Sequence, residues 1–516
     1  FFARAFDIAG NERDASAIFT VAAPPADATF ASLARYGLSN GARRVRATEK
    51  KLHSWAFTYY TAGRKWVTTG TGGWASGFFP GELWAAYAAC GDSWFRKHAI
   101  SREKPLGKTA ITSTSTDIGF RYFYSYAKAY ELTGNSGYRN MALKAAKGEA
   151  RRFNTAVGAI RSRNDASQCQ TIIDEMMNVQ ILYWGADHGG PASWRTLAHQ
   201  HALTTARDFV RPDGSVYHIV GYNPKTGALE DRYAGQGYSL TSMWSRGQAW
   251  AIYGFTTAYR ETKDPAMLAT ARKVADRYLA ELPPDFVPYW DFRSPSIPNT
   301  PRDSSAAAIA ASALLDLATL DPSSANRARY AGSARIMLTS LMSPNYRSTG
   351  GNPAILLHGT QCYSIPQTRD EGQSFGDYFL LEAFLRLRTL PADGPALRLK
   401  RVRASRGKPT AAIDHKMSTS WKASKKQWIE FDLGKRVTVH SVSLGVRSGQ
   451  TRSALFKIYT SRDRRHWKLS TKVVSSGETA AVETYALKPV NARYVRVVCN
   501  GSSRSKTLYI TEAAVR

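Results

Sequence analysis

Cysteine is scarce and scattered in this chain: Cys90, Cys169, Cys362 and Cys499 are the 4 in 516 residues, with no CxxC pair and no histidine-rich cluster. That pattern argues against zinc modules and a disulfide-dense scaffold, and leaves the pairing of the four thiols open. No metal site and no cofactor are expected. Acidic residues are the next shortage, 40 Asp and Glu against 70 Lys and Arg, for a formal net charge of +30. Charge of one sign makes a polyanion the natural partner class: nucleic acid, acidic polysaccharide or an anionic surface. Long apolar runs are also missing; residues 15–25 are short and interrupted by Pro24 and Pro25, so no membrane span is expected. The chain opens Phe1-Phe2 without a methionine, which is compatible with a removed export signal.

What is plentiful is aromatic side chain, 12% of residues with 13 Trp and 26 Tyr. Flat rings cover sugar faces well, and they also fill large helical cores. At 516 residues the length points to two or three domains. Residues 1–45 show weak periodicity with a breaker at 22–27, and read as an extension packed on the body. From 46 to 390 one theme recurs: an apolar helix ending in Ala-Tyr, a tight turn, then an amphipathic helix. Ala86-Tyr87 leads to Gly91-Asp92, Ala129-Tyr130 to Gly134-Asn135, and Ala258-Tyr259 to Lys263-Asp264-Pro265. With weaker copies at 185–190 and 320–324 and a last helix at 377–388, the repeat predicts about six helical hairpins. That is the pattern of an all-α (α/α)6 toroid; an open solenoid of helical pairs is the alternative.

The segment 209–242 breaks this rhythm with turn signals and short alternating runs, and predicts a β-hairpin over the barrel mouth. Residues 391–409 read as a linker. Residues 410–516 carry short alternating strands and predict an all-β sandwich. From Lys400 onward about 25 Lys and Arg face about 7 Asp and Glu, so roughly +18 of the net charge lies in this small part.

Two carboxylates stand out. Asp174 in Thr171-Ile172-Ile173-Asp174-Glu175-Met176-Met177-Asn178 and Asp117 in Thr116-Asp117-Ile118-Gly119-Phe120 each precede an apolar helix. Helix capping explains either one alone, because an acid at that position meets unpaired N–H groups and the helix dipole. Two such acids at the mouths of buried helices are also a candidate acid/base pair.

Six motifs in order resemble the unsaturated glucuronyl hydrolases of glycoside hydrolase family 88. They are Trp74-x-x-Gly77-Phe78-Phe79-Pro80-Gly81, the Asp117 and Asp174 stretches, Trp244-Ser245-Arg246-Gly247-Gln248-Ala249-Trp250, Arg302-Asp303-Ser304-Ser305 and Gly376-Asp377-Tyr378-Phe379. The resemblance implies a hydrolase that removes a 4,5-unsaturated uronic acid from lyase-generated acidic oligosaccharides. It implies hydration of the C4=C5 enol ether, with Asp174 as general acid/base and Asp117 holding sugar hydroxyls and biasing the proton on Asp174. It also places His218, Gln236, Trp244, Arg246 and Trp250 around the uronate, with Trp74 as a stacking wall. The bland alternatives are a core ion pair for Arg246 and core packing for Trp250. Family members typically carry His ahead of the first acid, where this chain has Thr116. A Ser-x-x-Ser-x-Lys pattern that reads sulfated disaccharides in relatives is here Ser364-Ile365-Pro366-Gln367-Thr368-Arg369, with Gln367 and Arg369 as the departures.

The last domain resembles a discoidin or coagulation-factor type C sandwich, the fold of family 32 carbohydrate-binding modules. The likeness rests on Ser420-Trp421, Gln427-Trp428-Ile429-x-Phe431-Asp432-Leu433-Gly434, Ile458-Tyr459 and Ala492-Arg493-Tyr494-Val495-Arg496. Trp421 and Trp428 read as core. With this resemblance the expected polyanion is a sulfated polysaccharide held by the basic domain, not nucleic acid, and the expected location is secreted or periplasmic. Two other readings are an unsaturated rhamnogalacturonyl hydrolase acting on pectic fragments and an inactive glycan-binding protein.

Overall fold

The computed structural model describes residues 30–516 except 54, 113, 389, 391–395, 415, 425, 476 and 478–481. After the first helix, α1 (Phe30–Glu49), inner and outer helices alternate around a ring. The inner and outer pairs are α2 (Phe78–Cys90) and α3 (Ser93–Gly107), α4 (118–133) and α5 (Ser136–Ala150), α6 (175–187) and α7 (Ser193–Phe209), α8 (Ser245–Thr262) and α9 (Pro265–Glu281), and α10 (Ser304–Leu320) and α11 (Ser324–Leu341). The last inner helix is α12 (Ser374–Leu387). A π-helical turn at Phe123–Ala127 lies within α4, and Val179 interrupts α6. The inner helices are buried on nearly every side, as the alanine-rich sequence of α10 permits.

Inner helices turn into outer ones by a device used three times. The carbonyls of Tyr87, Tyr130 and Tyr259 accept the N–H of Gly91, Gly134 and Lys263 at 2.7, 2.7 and 2.9 Å. Each acceptor turn ends left-handed, and the next residue, Asp92, Asn135 or Asp264, caps the outer helix with its side chain. These are the Ala-Tyr repeats of the sequence.

The ring is closed, which rules out the solenoid. Helix α1 packs on α12 and α2 and supplies the outer partner that α12 lacks. A Cβ at Gly37 would lie 2.1 Å from Phe384, and one at Gly41 2.3 Å from Leu381, so two glycines one turn apart let this helix seat against α12. The expected boundary of an extension at residue 45 therefore falls inside a structural helix. Residues 1–29 lie outside the described residues.

The excursion over the mouth is a β-hairpin, Ile219–Tyr222 with Leu229–Tyr233, and a third strand, Cys169–Ile172, pairs with it. Its register sets Ile172 opposite Ile219 and lets Ile173 N–H donate to the His218 carbonyl at 2.9 Å. The pairing thus brings His218 beside the start of α6.

The C-terminal domain is wholly antiparallel. Along its sheet the order is Lys468–Val474, Ala454–Ser461, Glu483–Ser502, Trp428–Val446, Thr507–Val515 and Trp421–Ser424, with Arg401–Ala404 also paired to Trp428–Val446. The two long strands break register between Asp432 and Val437 and again after Val439, and fold around a core that includes Trp421, Phe431, Phe456 and Val495. The expected linker is shorter than 391–409. Leu397 N–H already donates to Val515 O at 2.7 Å, and Arg401–Ala404 is a strand whose register runs Ala404 to Ile429 and Arg401 to Asp432. Residues 391–395 lie outside the described residues. All four cysteines are free thiols.

Candidate active site

All six inner helices begin at one end of the ring. The residues just ahead of them are Gly77, Asp117, Asp174, Trp244, Asp303 and Gln373. Asp117 and Asp174 occupy the cap position, yet neither side chain makes a cap hydrogen bond. The capping role expected of them is absent, and both carboxyl groups are free for other contacts. Asp117 adopts φ 53°, ψ 36°, a left-handed conformation that costs a non-glycine residue about 1 kcal/mol.

Asp174 Oδ2 lies 3.3 Å from His218 Nε2, and neither atom has a hydrogen bond within the protein. His218 Nδ1 accepts the Gln236 N–H at 2.8 Å, so the neutral ring carries its proton on Nε2, the nitrogen facing Asp174. Gly235 makes this possible. Its φ is 58°, and a Cβ there would lie 1.9 Å from His218 Nδ1. Gly235→Ala is expected to displace the ring and lower turnover about 10²-fold, since small misplacements at a reacting centre have effects of that size. Steady-state kinetics beside a thermal melt separates this from unfolding.

Asp117 keeps a partial opening, yet the surrounding protein desolvates it. Burial, and then the neighbouring charge of Asp174, push its pKa up to about 6 against polar contacts from Thr116 and Asn178. Asn178 Oδ1 also accepts Phe120 N–H at 2.8 Å and ties α6 to α4. Behind Asp117 lie Glu149 and Glu175, both buried. Burial raises Glu149 to about 7, and Glu175 is raised as well, by burial and then by Glu149 and Asp117, with Arg152 opposing both. This acidic backing was not anticipated from sequence, although Glu175 adjoins Asp174.

Arg246 is placed differently from expectation. It is 2% exposed and pairs with fully buried Asp303 at 2.8 Å. It also donates to Thr360 O at 2.6 Å, to Gln236 Oε1 at 2.8 Å and to the Gln361 carbonyl. Both terminal nitrogens are therefore committed inside the protein, and the core ion pair is what the structure contains. Its contact with Gln236 fixes that amide with Oε1 inward, leaving the NH2 group as the outward donor. Trp250 is 0% exposed between Phe120 and Phe379, so it is core, not a ring covering a sugar. Trp244 is buried against His218 and beneath Arg246. Trp74 stays half-buried, held edge-on by Phe78 and Phe120, with its N–H on Tyr59 OH at 3.2 Å. Tyr59 and Phe375, which also touch Trp74, were not anticipated.

The chain is 37% identical over 325 residues to an unsaturated glucuronyl hydrolase of Formosa agariphila, covering 61% of this chain and 80% of that one. It is 32% identical to an unsaturated chondroitin disaccharide hydrolase of Streptococcus pneumoniae, over 61% of this chain and 81% of the relative. Among solved structures, an unsaturated glucuronyl hydrolase specific for heparin superposes with a TM-score of 0.66 at 30% identity, over 69% of this chain and 96% of its own. The enzyme from Bacillus sp. GL1 gives 0.65 at 32% identity, over 68% and 96%. The chain belongs to the unsaturated glucuronyl hydrolase family. This glycoside hydrolase has the toroid of its relatives, and residues 400–512 match the F5/8 type C domain family.

On the rim of the hydrolase, Ser364 and Gln367 are exposed and Arg369 is half-buried. Trp290 stacks on Tyr363 at 4.1 Å and 3°, and the Arg369 guanidinium lies 4.1 Å from the same Tyr363 ring. Arg369 Nε donates to the Tyr363 carbonyl. The loop reaches the site because Thr360 and Gln361 are the carbonyls that Arg246 holds.

Proposed function

We propose that this hydrolase removes a 4,5-unsaturated uronic acid from the non-reducing end of glycosaminoglycan-derived oligosaccharides by hydrating the C4=C5 enol ether. The observation that carries the reading is the Asp117–Asp174 pair with the His218 Nε2–H facing Asp174. Hydration needs a proton delivered to C4 and a water activated toward C5, and one carboxyl group performs both steps in turn when its proton is available near neutral pH. Asp174 protonates C4, which leaves positive charge at C5 stabilised by the ring oxygen. The carboxylate so formed takes a proton from the water that attacks C5. The resulting hemiketal opens and releases the next sugar.

Asp117, set near Asp174, binds sugar hydroxyls, and burial and then the charge of Asp174 raise its own proton affinity. His218 and the Gln236 amide offer N–H groups to the water or the substrate carboxylate. The inner-helix N-termini add favourable potential for that carboxylate. Trp74 forms a wall against the flattened ring.

The substrate class rests on the relatives named for heparin and chondroitin disaccharides and on the cation at the rim. Arg369 lies against Tyr363, itself stacked on Trp290, and its planar fork suits a sulfate. Arg369→Ser is expected to raise KM about tenfold for sulfated disaccharides and leave unsulfated ones unchanged. The test of the whole reading is loss of the ultraviolet absorbance of the enol ether on a panel of lyase-generated disaccharides. If no member of the panel is consumed, the hydrolase proposed here acts on something else.

A further inference from the structure

We propose that the outer face of the C-terminal sheet is a docking site for intact sulfated polysaccharide chains, centred on Arg496 clamped between Trp428 and Trp467. The proposal rests on the barrel acting on glycosaminoglycan fragments. Arg496 lies 4.3 Å from the Trp428 ring centroid and 3.9 Å from that of Trp467. Trp467 is fixed in turn by its N–H on Arg464 O at 3.0 Å. Beneath the stack, Glu430 is 2% exposed and accepts Arg464 Nε at 2.7 Å and Arg496 NH2 at 2.7 Å. One buried carboxylate thus orients two guanidinium groups, leaving a net positive charge in a rigid, preorganised setting.

The strand register extends this centre into a row. Arg403 is opposite Glu430, Glu430 opposite Arg496, and Arg496 opposite Tyr459. Arg401 and Lys457 flank the row, opposite Asp432 and Val498. The alternate residues Ile429, Phe431, Ile458 and Val497 point into the core, so the charged set shares the outer side. The face's two carboxylates are taken: Glu430 by Arg464 and Arg496, Asp432 by Arg493. Arg401, Arg403 and Lys457 have no ion pair among the described residues. Cations on neighbouring strands, spaced by the sheet at about 4.8 Å and interleaved with rings, suit a linear polymer that repeats sulfates and sugar faces.

The location of the domain decides between polymer and substrate fragment. It attaches at the end of the barrel where the inner helices finish, with Ser453 Oγ donating to Glu131 O at 3.0 Å and Thr484 N–H to Arg388 O at 2.6 Å. Those residues lie at the C-terminal ends of α4 and α12, opposite the mouth. The face therefore anchors the enzyme on the parent chain and adds nothing to the cleft.

The experiment measures binding of the full chain to immobilised chondroitin sulfate and heparin chains at low ionic strength, with turnover of unsaturated disaccharide assayed in parallel. Arg401→Gln/Arg403→Gln/Lys457→Gln is expected to weaken binding about tenfold or more, and Lys408→Gln/Lys416→Gln/Lys422→Gln, an equal charge loss elsewhere on the domain, about twofold or less. Trp467→Ala, which changes no charge, is expected to weaken binding as well. Turnover stays at the wild-type level in all three. Equal losses in the two triple variants, wild-type binding by the first, absence of wild-type binding, or stronger competition by duplex DNA than by either glycan would each overturn the docking face. Polymer binding without disaccharide turnover leaves the face standing and removes the reading of the barrel.

Discussion

Asp174→Asn is expected to lower kcat on unsaturated disaccharides by about 10³-fold, with the thermal midpoint close to wild type. The amide keeps the size of the carboxyl group but neither delivers a proton to C4 nor takes one from water. Stability is spared because Asp174 makes no capping bond that the substitution would break. The pH profile gives a second readout. Burial, and then the charge of Asp174, raise Asp117 to about 6. Below that pH Asp117 holds its proton and above it the proton is lost, so kcat/KM is expected to decline on the alkaline side from near pH 6. Asp117→Asn removes the group that is raised to about 6, and should abolish the alkaline limb near that pH. Wild-type turnover by the Asp174→Asn variant would sink the acid/base assignment, and an unchanged limb in the Asp117→Asn variant would sink the role of the Asp117 proton.

What could be read in advance depended on whether a residue's neighbours in space are also its neighbours in sequence. The three Ala-Tyr turns are local devices, complete within about seven residues, and they carried the toroid. The seating of α1 on α12 is not local: Gly37 and Gly41 have meaning only against Phe384 and Leu381, and in the sequence they merely dilute an apolar face. The strand Arg401–Ala404 was hidden in a similar way, because its outward positions are arginines and the stretch passed for a basic linker. Trp421 and Trp428 both read as core, as most positions of their motifs do. Trp421 is indeed 1% exposed, with its N–H on Arg406 O, whereas Trp428 is half-buried and faces outward under Arg496.

The site divides along the same line. Asp117 and Asp174 were visible because each stands at the head of an aromatic or apolar helix, a position the toroid turns toward its mouth. The absence of side-chain capping was not visible, since it depends on backbone angles at one residue. Glu149 and Glu175 are also acids on helices, but nothing local distinguishes a glutamate buried behind a cavity from one in solvent. The acidic backing they form follows from how α4, α5 and α6 meet.

Arg246→Ala is expected to lower stability by about 3–5 kcal/mol, because it strips a buried carboxylate of its partner charge. Asp303 Oδ2 is the acceptor left behind, and it has no exposure to water. Its other oxygen stays bonded to Ser305 N–H at 3.1 Å and Ala306 N–H at 3.3 Å as the cap of α10, which favours the lower part of that range. Arg246→Lys retains the charge but cannot reach Asp303, Gln236 and two carbonyls from one planar group, so an intermediate loss is expected. Denaturant titration of both variants is the direct measurement. The pattern of kinetic effects separates a clamp from a ligand. A residue that bound the substrate carboxylate would raise KM and leave the melting transition alone. Loss of a clamp on the Gln236 side chain and the loop at 360–361 lowers the transition first, and in the folded fraction reduces kcat by freeing Gln236, the residue whose backbone N–H sets the His218 tautomer. A wild-type melting curve with a purely KM effect would return Arg246 to the substrate; a stability loss recovered in part when Asp303→Asn is added would fix its role as the buried partner of Asp303.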